Sequence, residues 1–265
     1  MPDADRYIGD QRIFAMHVGR SGDGKSVAAA SYNLAPGDGS VIDLDFDYRF
    51  GGIKAAIDQK MLTSKGIEFE QFNPRSGWDP VDKWLTQAEI YRMSYAISGK
   101  FKYKAVICDS LTSLCRLLVV GSHALQGGRK LGNLRISGPA DFNFEANGTH
   151  QFFDFLRTFP CHVICSAHII DKYGKLNPNE EYSEKGVVGE KLSVRDNLGE
   201  NVLTYFDNVF RFSREVKGNK TFYYVDFATD VAKNSFGIPP GLHDITGKPF
   251  YPYLQELIAK YKGGV

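Results

Sequence analysis

Short apolar runs rich in β-branched and aromatic residues alternate along the chain with longer segments whose apolar positions recur every three to four residues. That alternation predicts an α/β fold, a mainly parallel sheet flanked by helices. Strands are expected at residues 13–18, 41–44, 67–72, 105–108, 161–167 and 208–212, with 222–227 closing an antiparallel C-terminal edge. Residues 25–34 read as a small-residue helix, and Asp79 with Pro80 supplies an N-cap and a first-turn proline for a helix to about Ser98. Residues 111–125 read as another helix. Phe144, Phe152, Phe155, Leu156 and Phe159 repeat at helical spacing, so 141–159 is expected to be amphipathic helix despite Gly148. Two stretches, 126–139 and 169–200, lack any period and are rich in Gly, Asn and charge, which marks them as mobile surface loops.

With 265 residues, 43% hydrophobic and 24% charged, the chain suits one large domain, residues 1–11 forming an arm and 241–265 a C-terminal extension. The 32 basic and 31 acidic side chains leave a formal charge of +1, so no global positive field attracts nucleic acid. Any such site must be local. The opening MPDADRYIGDQRIF is acidic and polar where a signal peptide is basic and then apolar, and no run of about 18 apolar residues occurs. A cytoplasmic location is the expectation. Cys108, Cys161 and Cys165 fall in apolar runs and read, with Cys115, as ordinary core thiols. Cys161, His162 and Cys165 make a poor metal set, because adjacent strand positions face opposite ways and the zinc-type CxxC pair is missing.

The chemistry sits in IFAMHVGRSGDGKSVAAAS, an apolar strand, then the phosphate loop, then the helix that begins at Lys25, with Gly19, Arg20, Ser21, Gly22, Asp23, Gly24, Lys25, Ser26 and Val27 expected to bind the nucleotide. The glycines let backbone N–H groups turn inward as an anion nest at a helix N-terminus, where the helix dipole also favours negative charge. Lys25 is expected to reach the β- and γ-phosphates, and the Ser26 hydroxyl to hold Mg²⁺. In YKAVICDSLTSL, an apolar strand ends in Asp109, whose carboxylate is expected at the ligand-binding edge of the sheet, holding Mg²⁺ through water. A water-orienting carboxylate comes from VIDLDFD, where Asp43, Asp45 and Asp47 share one face. Asp45 ends the strand and is the first choice, with Asp47 as the alternative. CHVICSAHI ends at His168, placed to hydrogen-bond the γ-phosphate and report hydrolysis to the loop that follows. His17 and His162 read as structural.

Over roughly residues 10–240 this order of elements resembles the RecA-like ATPases, on the phosphate loop, the acid after the second strand in VIDLD, the Walker B-like VICDSLTSL, and the polar strand end Ala167–His168. FDNVFRF followed by AKNSFGIPPGL looks like the compact phage and prophage members grouped with single-strand annealing proteins. AKNSFG also resembles the element of DnaB-like ring helicases whose basic residues reach a neighbouring subunit's nucleotide, so Lys233 matches a lysine acting in trans, with Ser235 where an arginine stands. The catalytic glutamate of RecA is an aspartate here, one methylene shorter. The resemblance implies a P-loop NTPase using ATP and Mg²⁺, assembled as a homo-oligomer, ring or filament, with nucleotide between subunits. It also implies single-stranded DNA binding through the two loops, by Arg129, Lys130 and Arg135 in the first and Lys172, Lys175, Lys185, Lys191 and Arg195 in the second. Recombination or strand annealing is then the leading reading. A ring-forming motor and a nucleotide-gated scaffold with little turnover are the alternatives.

Overall fold

A computed structural model of the chain describes residues 12–49, 51–73, 78–126, 130–131, 134–135, 137–175 and 184–262. The apolar runs become β1 (Phe14–Gly19), β2 (Ser40–Asp45), β3 (Ile67–Gln71), β4 (Tyr103–Asp109), β7 (His162–Lys175), β9 (Asn208–Lys217) and β10 (Lys220–Asp226). Two-residue strands β5 (Lys130–Leu131) and β6 (Leu134–Arg135) pair with each other, while β8 (Lys185–Leu192) and β11 (His243–Asp244) join the main sheet. The helices are α1 (Lys25–Ala30), α2 (Gly51–Asp58), α3 (Asp79–Ser98), α4 (Leu111–Gln126), α5 (Pro139–Leu156), α6 (Asp196–Leu203) and α7 (Phe250–Lys262).

Among the described residues the main sheet runs β11-β10-β9-β1-β7-β4-β2-β3. Its centre is parallel, from β9 through β1, β7, β4 and β2 to β3, and β9-β10-β11 form the antiparallel edge. A strand covered on both faces must be apolar at every position, and β1 is buried at all six. Period two then sorts side chains between two cores. Phe14, Met16, Val18, Leu44, Val106, Val163 and Cys165 meet helices α3, α4 and α5 through Trp84, Leu114, Leu118, Phe152 and Phe153. Ala15, Val41, Ala105, Ile107, Ile164, Phe210 and Phe212 meet α1 and α7 through Ala28, Ala29, Phe250, Leu254 and Ile258. His17 lies in this second core, ringed by Tyr32, Phe210, Phe212 and Phe250, and burial pushes it down to about 3. It is a neutral core histidine, as its place inside a strand implied. No helix of the described residues is long and apolar enough to cross a membrane.

The structure differs from the sequence expectation in three places. Asp79 is not the N-cap of α3: Trp78 is, with no side-chain cap, and Asp79 is the first helical residue with Pro80 behind it. The stretch 169–200 is no plain loop. Strand β7 continues past the sheet to Lys175, β8 returns antiparallel to it with a bulge at Lys172/Tyr173, and α6 follows. The pattern there is hidden because this two-stranded arm has little core to face, and among its described residues only the root, Ile169 opposite Leu192, is buried. The C-terminal stretch also folds in. Phe250, Leu254, Leu257 and Ile258 lie at helical spacing and carry α7 onto the second core, while the Tyr251 N–H donates to the Ser31 hydroxyl at 2.8 Å.

Candidate active site

Strand β1 ends at Gly19, opposite His168 in parallel register, and α1 starts six residues later at Lys25. Gly22 and Gly24 have φ of 83° and 88°, values that disfavour any side chain. At Gly19 the reason is proximity, since an added Cβ would stand 2.6 Å from the Phe212 carbonyl oxygen. Asp23 closes the loop from inside, its Oδ2 accepting the Arg20 N–H at 2.7 Å. Lys25 lies across the loop, its Nζ donating to the carbonyls of Gly19 (3.0 Å) and Arg20 (2.8 Å). Burial lowers the Lys25 pKa, and Asp109, Asp23 and Asp47 pull it back up. The Ser26 hydroxyl donates to Asp109 Oδ2, and the Ser166 hydroxyl to Asp109 Oδ1. Burial raises the Asp109 pKa, opposed by those two hydrogen bonds.

These residues fit a Mg²⁺-nucleotide by their donor set. Ser26 and Asp109 converge as one hydroxyl and one carboxylate, the sparse hard-oxygen set of a cation that takes its other ligands from phosphate and water. Among the described residues no cluster of three His, Cys, Asp or Glu would hold a metal by itself. Lys25 would supply positive charge for the phosphates.

The carboxylates after β2 part company. Asp45 is buried, its Oδ1 accepting the Arg49 N–H at 3.1 Å and its Oδ2 the Gln71 amide at 3.0 Å. Both oxygens are occupied in tying the strand end, and Asp45 is not among the residues lining the cavity beside the loop. Asp47 does line it. The N–H groups of Phe46 and Asp47 both donate to the Asp109 carbonyl (2.6 and 3.2 Å), which curls the chain from β2 toward β4 and carries Asp47 inward. There Asp47 accepts a hydrogen bond from Ser110 Oγ at 2.9 Å and faces His168 Nε2 at 3.5 Å. Burial would raise its pKa, but bonds from His168, Ser113 and Ser110 outweigh that and hold it down at about 2. His168 Nδ1 lies 3.5 Å from Lys25 Nζ, so the histidine bridges the lysine and Asp47.

The cavity holds about 680 Å³ and runs from this floor to a wall that sequence reading did not find. Strand β10 pairs β9 with Tyr223 opposite Arg214, and both side chains lie over the phosphate loop. A Cβ added at Gly24 would be 3.3 Å from the Tyr223 ring, and one at Gly22 would be 2.8 Å from Arg214 Nη1. Ile245, Thr246 and Phe250 continue the wall. Thr246 Oγ1 accepts the Tyr223 N–H at 2.8 Å, and the Ile245 N–H donates to the Tyr223 carbonyl at 2.9 Å, which locks the wall to β10. The partial signal was FDNVFRF itself: with Phe210 and Phe212 inward, continued alternation puts Arg214 at the next position of the same face.

Lys233 is exposed, bridges Val209 through its backbone, and is not among the residues lining this cavity. Lys172, Lys175, Lys185 and Lys191 all lie on the β7–β8 arm. Arg195 instead turns to α5, bonding Glu145 at 2.7 Å and the Phe142 carbonyl at 2.6 Å. Arg129, Tyr182 and the arm 1–11 lie outside the described residues, as do the side chains of Lys130 and Arg135.

Fold and loop together give an α/β protein in which a glycine-rich loop with P-loop spacing joins the first strand and first helix of a mainly parallel, helix-flanked sheet. No protein-family model matches the chain, and no curated protein matches it in sequence. Among solved structures it is similar to a KaiC-like protein from the hyperthermophilic archaeon Pyrococcus horikoshii, at 14% identity over 88% of this chain and 84% of that one, TM-score 0.43. It is also similar to the flagellar accessory protein FlaH of Methanocaldococcus jannaschii, at 14% identity over 91% of this chain and 94% of that one, TM-score 0.40.

Proposed function

We propose that the chain is a RecA-like, Mg²⁺-dependent ATPase that binds single-stranded DNA. The observation that carries the first half is the convergence of Lys25, the Ser26–Asp109 pair and the Asp47–His168 pair on one cavity. Mg²⁺ held by Ser26 and Asp109 supplies charge neutralisation at the phosphate oxygens. Lys25 binds the phosphate chain together with the inward N–H groups of the loop. Asp47 orients the attacking water. A carboxylate held at about 2 is a weak base at neutral pH, so its part is orientation rather than proton storage. His168 keeps Asp47 ionised and aimed, and its position on β7 links the state of the site to the β7–β8 arm. The Tyr223, Ile245 and Phe250 wall offers the flat apolar surface that a base requires.

The DNA half is supported by the charge of that arm. Its acids Asp171 and Glu190 are paired with Arg20 and Arg211, and Lys172, Lys175, Lys185 and Lys191 stand along it with Tyr173 exposed among them, against the three further acids Glu180, Glu181 and Glu184 of the same stretch. Arg195 takes no part in this role. Assembly into a ring or filament brings Lys233 of one subunit to the nucleotide of the next, and recombination or annealing is the process that this chemistry serves.

The test is ATP turnover with and without single-stranded DNA, using Lys25→Ala as the blank. Stimulation by DNA supports both halves. DNA-independent turnover with no DNA retained at low salt removes the DNA half, and no turnover above the blank removes the ATPase half.

A further inference from the structure

Three arginines stand at or beside the phosphate loop on its β7 to β9 side, and two of them are each paired with a carboxylate within hydrogen-bond distance. Arg20 pairs with Asp171, and Arg211 grips Glu190 through two bonds of 2.6 Å each. Arg214 is different. Among the described residues it makes one ion pair, to Asp23, at 3.9 Å and so beyond hydrogen-bond length. Its side chain is 48% exposed, and it lines the cavity. The guanidinium lies directly against Gly22 of the phosphate loop, close enough that only the missing side chain makes room for it.

Asp23 explains why a cation is wanted there. It is a carboxylate inside an anion-binding loop, 6% exposed, with one oxygen facing inward to the Arg20 N–H. Left alone, its charge opposes any phosphate that enters. Arg214 covers it and still has donors to give, since a guanidinium carries five N–H groups in a fork suited to phosphate oxygens. The register of β9 with β10 fixes this arrangement by setting Arg214 and Tyr223 side by side across the strands.

We infer that Arg214 is a polyphosphate-binding residue supplied in cis: it lies over Gly22, neutralises Asp23 and donates hydrogen bonds to the phosphate chain of a nucleoside triphosphate bound by the same subunit. The inference rests on the nucleotide reading above and adds to it a phosphate contact from the β9 edge, outside the loop motif. Lys25 then holds the phosphates from below and Arg214 from above.

The experiment is equilibrium binding of a fluorescent ATP, with inorganic tripolyphosphate as a competitor that has no base or ribose to contact Tyr223. Arg214→Ala is expected to weaken both ligands about tenfold or more, and Arg214→Lys to recover part of that, because charge returns without the fork. Lys217→Ala removes an equal charge farther along β9 and is expected to change neither. The deciding variant is Asp23→Asn combined with Arg214→Ala. If Arg214 touches the phosphates, the double variant stays weak. If it only offsets Asp23, the double variant binds like the wild type and the inference is overturned. Thermal melts of each variant check that the fold is intact, and an Arg214→Ala protein that melts normally and binds both ligands normally also overturns it. Wild-type protein that binds neither ligand brings down the nucleotide reading itself, a different result from an unaffected Arg214 variant.

Discussion

The floor of the cavity comes from the loop after β1 and from the ends of β2 and β4 with His168 of β7, whereas its wall comes from β9, β10, the turn after β11 and the start of α7, all later in the chain. On the floor nearly every polar atom is already engaged: Lys25 with two carbonyls, Asp109 with two hydroxyls, Asp47 with Ser110 and His168. On the wall the polar groups are more open, with Arg214 half exposed beside a Tyr223 ring that lies against Gly24. A preorganised, desolvated floor suits charge stabilisation in a reaction, and an open wall suits binding and selection. The difference teaches which substitutions should alter rate and which affinity.

The comparison breaks first at Lys25. Lys25→Ala is expected to remove turnover entirely and weaken ATP by about 100-fold or more, because it leaves Asp109, Asp23 and Asp47 facing phosphate without their cation. Titration with labelled ATP and steady-state phosphate release would read both. Next come the two carboxylates. Asp47→Asn should lower kcat by about 10² with KM nearly unchanged, as a floor residue acting on water should. Asp45→Asn should leave kcat within about threefold and instead reduce stability by roughly 1 kcal/mol, through its bonds to Arg49 and Gln71. The reverse outcome, with Asp45 governing kcat, would restore the strand-end aspartate to the role the sequence offered it.

Acid should act on the floor before the wall. Asp47 is held at about 2, below its ordinary 3.8, so its contribution to stability is fully present above about pH 4 and is lost as pH falls through 2. With solvent screening of this partly exposed group, its contribution to stability at neutral pH is on the order of 1 kcal/mol, and Asp47→Asn should flatten that part of a melting-temperature profile between pH 4 and 2. The smallest effect belongs to the wall. Tyr223→Ala should weaken ATP by about 1 kcal/mol, leaving tripolyphosphate binding and kcat unchanged, since stacking area is lost and no phosphate contact is. Equal weakening of both ligands would mean that the ring supports the loop at Gly24 rather than the base.

Much of the site was legible because its chemistry is local. The spacing from Gly19 to Ser26 is a motif that backbone geometry alone enforces, and the apolar run ending at Asp109 announces a buried strand tip. The choice between Asp45 and Asp47 was not legible, since period two gives both the same face. It was decided by two N–H groups reaching the Asp109 carbonyl on the neighbouring strand, a contact more than sixty residues away in sequence. The β7–β8 arm was read as a loop because it lacks an apolar face, and what specifies it is antiparallel pairing closed by Ile169 and Leu192 at its root.

The sequence by itself determined the strands of the sheet, the glycine-rich loop between β1 and α1 with its lysine and serine, and the place of Asp109 at a strand end, because each is fixed by burial or by backbone conformation over a few consecutive residues. Only the tertiary structure decided that Asp47 enters the cavity and Asp45 leaves it, that Asp171 and Glu190 are neutralised by Arg20 and Arg211, and that Arg214 and Tyr223 close over Gly22 and Gly24. Those outcomes depend on strand order and register, which place β9 beside β1 and pair Arg214 with Tyr223, and register is set by the summed packing of both cores rather than by any one segment.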